Sequence, residues 1–170
     1  VWEQVDVPHT WNAKDGTSPD YYRGDGTYRY TLSVSPAMMK KRIFLRFEAA
    51  SQKAEVKLNG QEVGEHVGGF NAFCFEITPY VHSGENLLEV IVSNRKELNI
   101  APLEGDFTVF GGIYRPVSLL LLPKACITPL DYASSGVYVS QQVGERRADL
   151  SVVTKVDNGP VSYTHLRAHE

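Results

Sequence analysis

The sequence predicts an all-β protein, a sandwich with Greek-key or jelly-roll connections, and three observations carry that expectation. Apolar and polar residues alternate with a period of two in run after run, as in Thr27 to Val34 and Arg42 to Ala49. Gly, Pro, Asn and Ser clusters interrupt these runs roughly every eight to twelve residues, the spacing of short strands in a sandwich. No stretch keeps a helical period; even Ala49 to Lys57, which contains helix formers, fits a period of two better.

The elements follow in order. Val1 to Val7 alternates like a strand and stops at Pro8, and His9 to Gly26 is loop sequence with Trp11, Tyr21 and Tyr22 embedded in it. Tyr28, Tyr30, Leu32 and Val34 then form one face of a strand, and Ile43, Leu45, Phe47 and Ala49 one face of the next. Asn59-Gly60, between alternating runs, marks a hairpin whose two turn positions both need φ > 0. Gly68-Gly69 marks a tight bend, and Phe73, Phe75 and Ile77 face inward on the strand after it. Leu87 to Ser93 is nearly all apolar, which predicts burial on both faces. Ile113 to Leu122 reads as a strand, Ile127 starts a short one, and Gly136 to Val143 and Ala148 to Val156 form a last alternating pair.

These runs divide the chain into a sandwich over residues 1–124, a linker with the opening hairpin of a second sandwich over 125–160, and a tail over 161–170. Two strands alone are marginal in water, so the hairpin is expected to lean on the first domain or to be poorly ordered. The tail abandons the strand pattern and is expected to be non-native or disordered. His165 and His169 have a spacing that chelates metal on a helix, yet no third ligand is near in sequence. The chain opens directly on strand-like sequence and is expected to be a piece of a longer protein. Its compartment, cytoplasmic or periplasmic and secreted, therefore stays open.

Composition excludes several classes. Apolar residues at 42% and charged ones at 22% suffice for a packed core, which argues against disorder. A net charge of −3 with no Lys/Arg cluster argues against nucleic acid, and no apolar run has the roughly 18 residues of a membrane helix. Cys74 and Cys126 form no ligand pair and read as buried thiols, or as a disulfide if the fold joins them.

The segment Asn94 to Arg115 is the strongest functional signal. It exceeds the roughly 12–15 residues that compact domains allow a structureless connection without a function. Asp106 lies in it beside Phe107 and Phe110, and a carboxylate next to an aromatic ring suits a sugar. The acid accepts hydroxyl hydrogen bonds, and the ring packs on the apolar face of the pyranose. The competing reading is an acid capping a turn. His9 and Trp11 read as locks for the first loop, with ligand contact as the alternative. Arg23, Arg29 and Arg115 can pair carboxylates inside the fold or grip a ligand, with structural pairing the favoured reading for Arg29 and Arg115. G-x-S-x-G, the phosphate-cradling loop and clustered metal ligands are all absent from the sequence, and no acids form a legible catalytic pair.

Several strings together resemble the N-terminal domain of glycoside hydrolase family 2, the β-galactosidase, β-glucuronidase and β-mannosidase group. They are Val7-Pro8-His9-Thr10-Trp11-Asn12, Tyr21-Tyr22-Arg23-Gly24, Leu58-Asn59-Gly60 with Val63-Gly64, His66 and Gly68-Gly69-Phe70, Gly84-Glu85-Asn86, and Asp106-Phe107 with Gly112-Ile113-Tyr114-Arg115. The likeness runs from about Val5 to Pro123, and Tyr132 to Gly159 looks like the start of the family's immunoglobulin-like second domain.

The resemblance implies a jelly-roll, galactose-binding-like domain in a retaining exo-β-glycosidase, most simply a β-galactosidase-like one. It implies that catalysis belongs to a TIM barrel further along, so no catalytic residue is assigned here. It implies that Asp106 is lent to the substrate pocket, with Tyr22 and Arg23 able to approach it. In the complete enzyme Asp106 is also a candidate sodium ligand, so Na⁺ or Mg²⁺ is the cofactor to look for. The implied partners are a β-glycoside or oligosaccharide substrate, the downstream immunoglobulin-like and TIM-barrel domains, and further copies in a homo-oligomer. The alternatives are a self-contained carbohydrate-binding module and a purely structural domain.

Overall fold

The alternating runs become strands β1 (Asp25–Val34), β2 (Arg42–Phe47), β3 (Lys53–Leu58), β4 (Gln61–Val67), β5 (Phe73–Glu76), β6 (Gly84–Ser93) and β7 (Val117–Leu122). In the computed structural model, residues 2–102, 107–159 and 164–168 are described, the last five by backbone alone. A four-stranded sheet of order β1-β6-β3-β4 faces a three-stranded sheet of order β5-β2-β7, all pairs antiparallel. Among the described residues the only helical pieces are two 3-10 turns, Met38–Lys40 and Thr78–Tyr80.

The core lies between the two sheets. Leu32 and Val34, Ala54, Val56 and Leu58, and Leu88, Val90 and Val92 project from the larger sheet onto Ile43, Leu45, Phe47 and Phe73 of the smaller one. The rings of Phe47 and Phe73 stack at 4.6 Å, and His66 stacks on the same Phe73 ring at 4.3 Å. Each fully buried large side chain here contributes about 1.5–3 kcal/mol. The Asn59-Gly60 turn has φ of +52° and +77°, as its residue types require, and joins β3 to β4 with an irregularity after Val56.

Three expectations change. Residues 2–7 form no strand but run across the mouth between β1 and β7, where Trp2 lies under the Arg29 guanidinium at 4.4 Å. Alternation alone does not make a strand when no edge pairs with it. β6 is buried on one face only, because Leu87, Glu89, Ile91 and Ser93 lie on the outer, solvated side of the larger sheet. The strand with both faces covered is β2, whose Phe44 is as buried as Ile43. The third strand of that sheet begins at Val117 rather than Ile113, since Gly112 makes only an isolated bridge to Ser51 and Pro116 interrupts the ladder.

On its outer face β2 meets, through Arg42 and Arg46, a second unit made of β8 (Cys126–Ile127), β9 (Val137–Val143), β10 (Ala148–Asp157) and β11 (Thr164–Ala168). β10 pairs with the other three. The hairpin does lean on the first sandwich: Arg42 reaches Asp157, and Arg46 donates to the carbonyl of Ala133. The tail differs from expectation in that the backbone of Thr164–Ala168 pairs with β10. His165 thus sits on an extended strand rather than a helix, and His169 lies outside the described residues.

Candidate functional site

Two loops meet at one end of the sandwich, residues 9–24 and the long segment after β6, and their contacts define the candidate site. The first loop folds back on itself around Asp15. That carboxylate accepts the Tyr22 amide at 2.9 Å and the Asn12 Nδ2 at 3.0 Å. The Tyr22 N–H, then the Asn12 amide, hold the Asp15 carboxyl below the usual range.

The second loop is gripped on both sides of residues 103–106. On the approach, Ile100 is buried, and the carbonyl of Ala101 accepts from Gln52 Nε2 at 3.3 Å. On the return, Thr108 Oγ1 donates to the Gly16 carbonyl, and the Val109 amide donates to Tyr21 Oη at 3.0 Å. Asn94 Nδ2 then donates to the Val109 carbonyl at 2.9 Å, and Gly111 N–H donates to Asn12 Oδ1 at 2.8 Å. The loop rejoins the fold at Ile113, whose carbonyl accepts the His9 amide at 2.7 Å while its own amide donates to Tyr28 Oη at 3.4 Å. His9 Nδ1 lies 2.9 Å from that same Tyr28 hydroxyl. Burial raises the Tyr28 pKa, so the phenol stays protonated.

The residues named from sequence fall out as follows. Asp106 lies outside the described residues. Phe107 and Phe110 flank the returning stem and are 57% and 44% exposed, and Phe110 packs over Gly16. Tyr22 is 53% exposed and lies over Gly24. Arg23 is committed to structure: its Nε donates to the Asn94 carbonyl at 2.7 Å and its Nη2 to Gln52 Oε1 at 3.2 Å. His9 and Trp11 act as locks, the indole ring filling the space beside Gly26 and Gly111. Arg29 pairs with Glu89 at 2.8 Å, whereas Arg115 is exposed with no ion pair among the described residues. Asn12, Asn94, Asp15 and Gln52 were not singled out from sequence. A polar residue ending the apolar run of β6 was the signal available for Asn94.

A cavity of about 1210 Å³ lies elsewhere, under residues 2–7 and between the edges of β1 and β7. Its walls, including Leu45, Val90, Ile113 and Leu119, contain none of Tyr22, Arg23, Phe107 or Phe110. Among the described residues no group of three or more His, Cys, Asp or Glu comes together to hold a metal. The geometry therefore offers an exposed aromatic surface, Tyr22, Phe107 and Phe110, beside two loop stems held by hydrogen bonds.

Residues 1–123 match the profile described as glycosyl hydrolases family 2, sugar binding domain. The chain belongs to glycoside hydrolase family 2. A β-glucuronidase of Bacteroides fragilis is 50% identical over 143 residues, 82% of this chain and 21% of that protein. A β-galactosidase of Thermoanaerobacter pseudethanolicus is 32% identical over 172 residues, 95% of this chain and 22% of that protein. Among solved structures, Bacteroides uniformis β-glucuronidase 2, covalently bound to cyclophellitol-6-carboxylate aziridine, superposes with a TM-score of 0.89 at 36% identity, over 99% of this chain and 23% of that one. This family 2 domain thus spans about a fifth of the length of the curated relatives it matches.

Proposed function

We propose that this sugar-binding domain is the N-terminal wall of the substrate pocket in a retaining exo-β-glycosidase, inactive alone, and that it lends the pocket Asp106. The observation that carries the reading is the grip on both stems of residues 103–106, by Gln52 before them and by Asn12, Asn94, Gly16 and Tyr21 after them. These partly buried contacts fix where the loop leaves and rejoins the fold, as a loop that presents a side chain to a neighbouring domain requires. A carboxylate can accept a hydroxyl of the non-reacting part of the sugar, and that contact can be converted into orientation of the scissile bond. The acid/base and nucleophile belong to a downstream TIM barrel, whose loops at one face are the natural place for a neighbouring domain to add a wall. The Arg42 contacts tie the wall to the second, immunoglobulin-like unit and help hold the domains in register.

The 50% identity to a protein named β-glucuronidase makes β-D-glucuronides the first substrate class, ahead of the β-galactosides that the motifs alone suggest. The test uses the complete gene product with nitrophenyl β-D-glucuronide and nitrophenyl β-D-galactoside. One of the two is expected to be hydrolysed, the isolated 170-residue chain should turn over neither, and Asp106→Ala should lower kcat/KM about 10- to 100-fold, the worth of one charge-assisted hydrogen bond. An unchanged kcat/KM in Asp106→Ala overturns the pocket assignment. Millimolar or tighter sugar binding by the isolated chain would instead favour a self-contained carbohydrate-binding module.

A further inference from the structure

The two loops of the candidate site are joined through a pair of asparagines that are both fully buried, Asn12 and Asn94. Asn94 Nδ2 donates to Asn12 Oδ1 at 3.2 Å and to the Val109 carbonyl at 2.9 Å, and it lies 3.4 Å from the Tyr22 carbonyl. Its Oδ1 accepts the Gly24 amide at 2.8 Å. Asn12 Oδ1 accepts the Gly111 amide as well, and its Nδ2 donates to the Tyr22 carbonyl at 2.9 Å. The carboxamide is the neutral side chain that donates and accepts from one planar head, so each asparagine holds both loops at once. An aspartate in place of Asn94 would set carboxylate oxygen against the carbonyls of Val109 and Tyr22.

The brace also has a rigid foundation. Asn94 directly follows β6, whose last residue, Ser93, pairs with Asp25 on one side and Lys53 on the other. Its position is therefore set by the middle of the four-stranded sheet. From there the brace reaches Val109 and Gly111, on either side of Phe110 and two residues beyond Phe107.

We infer that Asn94 and Asn12 are positioning residues of the glycosidase, fixing the Thr108–Gly111 stem so that Phe107 and Phe110 meet the substrate at one place. The inference rests on the pocket-wall reading above. It assigns the pair a functional reach that a purely stabilising pair would not have.

The same strand supplies the control. At the other end of β6, Asn86 is equally buried, accepts Asn59 Nδ2 at 2.8 Å and donates to the His82 carbonyl at 2.8 Å. Eight residues of strand put it about 26 Å from Asn94. Asn94→Asp and Asn86→Asp thus damage matched chemistry at opposite ends of one sheet.

In the complete enzyme, with thermal melting and kcat and KM measured on a nitrophenyl glycoside that it cleaves, both variants should melt lower by comparable amounts. Asn94→Asp should lose about 10- to 100-fold in kcat/KM well below its melting temperature, the scale of a small misplacement at a reacting centre. Asn86→Asp should stay within about twofold of the parent. Equal losses in both, or no loss in Asn94→Asp, overturn the inference. Should Asn94→Asp fail to fold, Asn12→Ala, which removes the acceptor of the Gly111 amide and of Asn94 Nδ2, takes its place; parental kinetics in that variant also overturn the inference. Asp106→Ala in the same series separates the two claims. A loss in Asn94→Asp with none in Asp106→Ala removes the role of Asp106 and keeps the brace, and the reverse pattern removes the brace and keeps Asp106.

Discussion

Arg42 Nη2 lies 2.8 Å from Asp157 Oδ2, joining the second strand of the sandwich to a residue 115 positions later in the second unit. The same guanidinium holds Glu76 through two bonds, at 2.6 and 3.0 Å, and lies over the Phe44 ring. Its hydrogen bonds to Glu76 and then Asp157 raise its pKa further, so it is cationic at every accessible pH. Arg42 and Asp157 side chains are only 10% and 12% exposed, which puts the pair out of the range of weak surface bridges. Removing the cation with Arg42→Met leaves two acids without their partner and should cost about 3 kcal/mol in urea unfolding of this chain.

The same pair sets an acid limb. The hydrogen bond from Arg42 is the main cause that holds Asp157 below its ordinary value of 3.8. Because the folded pKa is the lower one, the unfolded chain binds the proton more readily. The stabilisation is therefore complete above about pH 4 and is lost as pH falls from there through the folded value. Asp157→Asn should flatten that limb below about pH 4, measured as unfolding free energy against pH; an unchanged slope would mean that the clamp does not titrate with folding.

Two glycines with positive φ should respond differently to alanine. Gly60, at φ +77°, has no atom within 4 Å of where a Cβ would stand. Gly60→Ala therefore costs only the backbone penalty, about 1–2 kcal/mol. Gly112, at φ +123°, would place its Cβ 2.6 Å from both the His9 carbonyl and Tyr28 Oη. Gly112→Ala adds a clash with fixed atoms to the strain and should lose about 3 kcal/mol or more, unlatching the loop where it rejoins the core. Comparison of the urea midpoints of the two variants checks the order.

How much of this was legible depended on whether the information was local. The faces of β1, β2 and β3 could be read because a period of two is visible within a few residues, and Asn59-Gly60 carries its own turn conformation. Which face a second layer covers is not local. Leu87 to Ser93 looked doubly buried yet faces solvent on one side, while Arg42 and Arg46 made the doubly covered β2 look half exposed. The candidate site divided along the same line. Phe107 and Phe110 stood out by residue type, whereas Asn94 acts through a partner 82 positions away and looks like an ordinary loop residue.

Exposure separates the two phenylalanines. Phe107 is 57% exposed, and Phe107→Ala should change folding stability by no more than about 0.5 kcal/mol. Phe110 covers Gly16, and its loss should cost about 1 kcal/mol more. If the rings meet the substrate in the complete enzyme, both variants raise KM or lower kcat/KM several-fold while melting close to the parent. Parental kinetics in both would leave the aromatic surface without a part in substrate contact.

The two thiols are free and half-buried, and their chemistry tests the packing beneath the second unit. Burial pushes Cys74 up to about 11, although the Arg46 guanidinium pulls the other way. Burial also raises Cys126, opposed by Arg42. Since the thiolate is the nucleophile, only about one Cys74 in a thousand is reactive at pH 8. Iodoacetamide at that pH should alkylate Cys74 slowly in the native chain and far faster in urea, where the thiol returns to about 8.5. Mass spectrometry of timed samples reads both sites separately. Native alkylation of Cys74 as fast as in urea would mean that the outer face of the smaller sheet is open, and that the Arg42 and Arg46 contacts do not hold the second unit against it in solution.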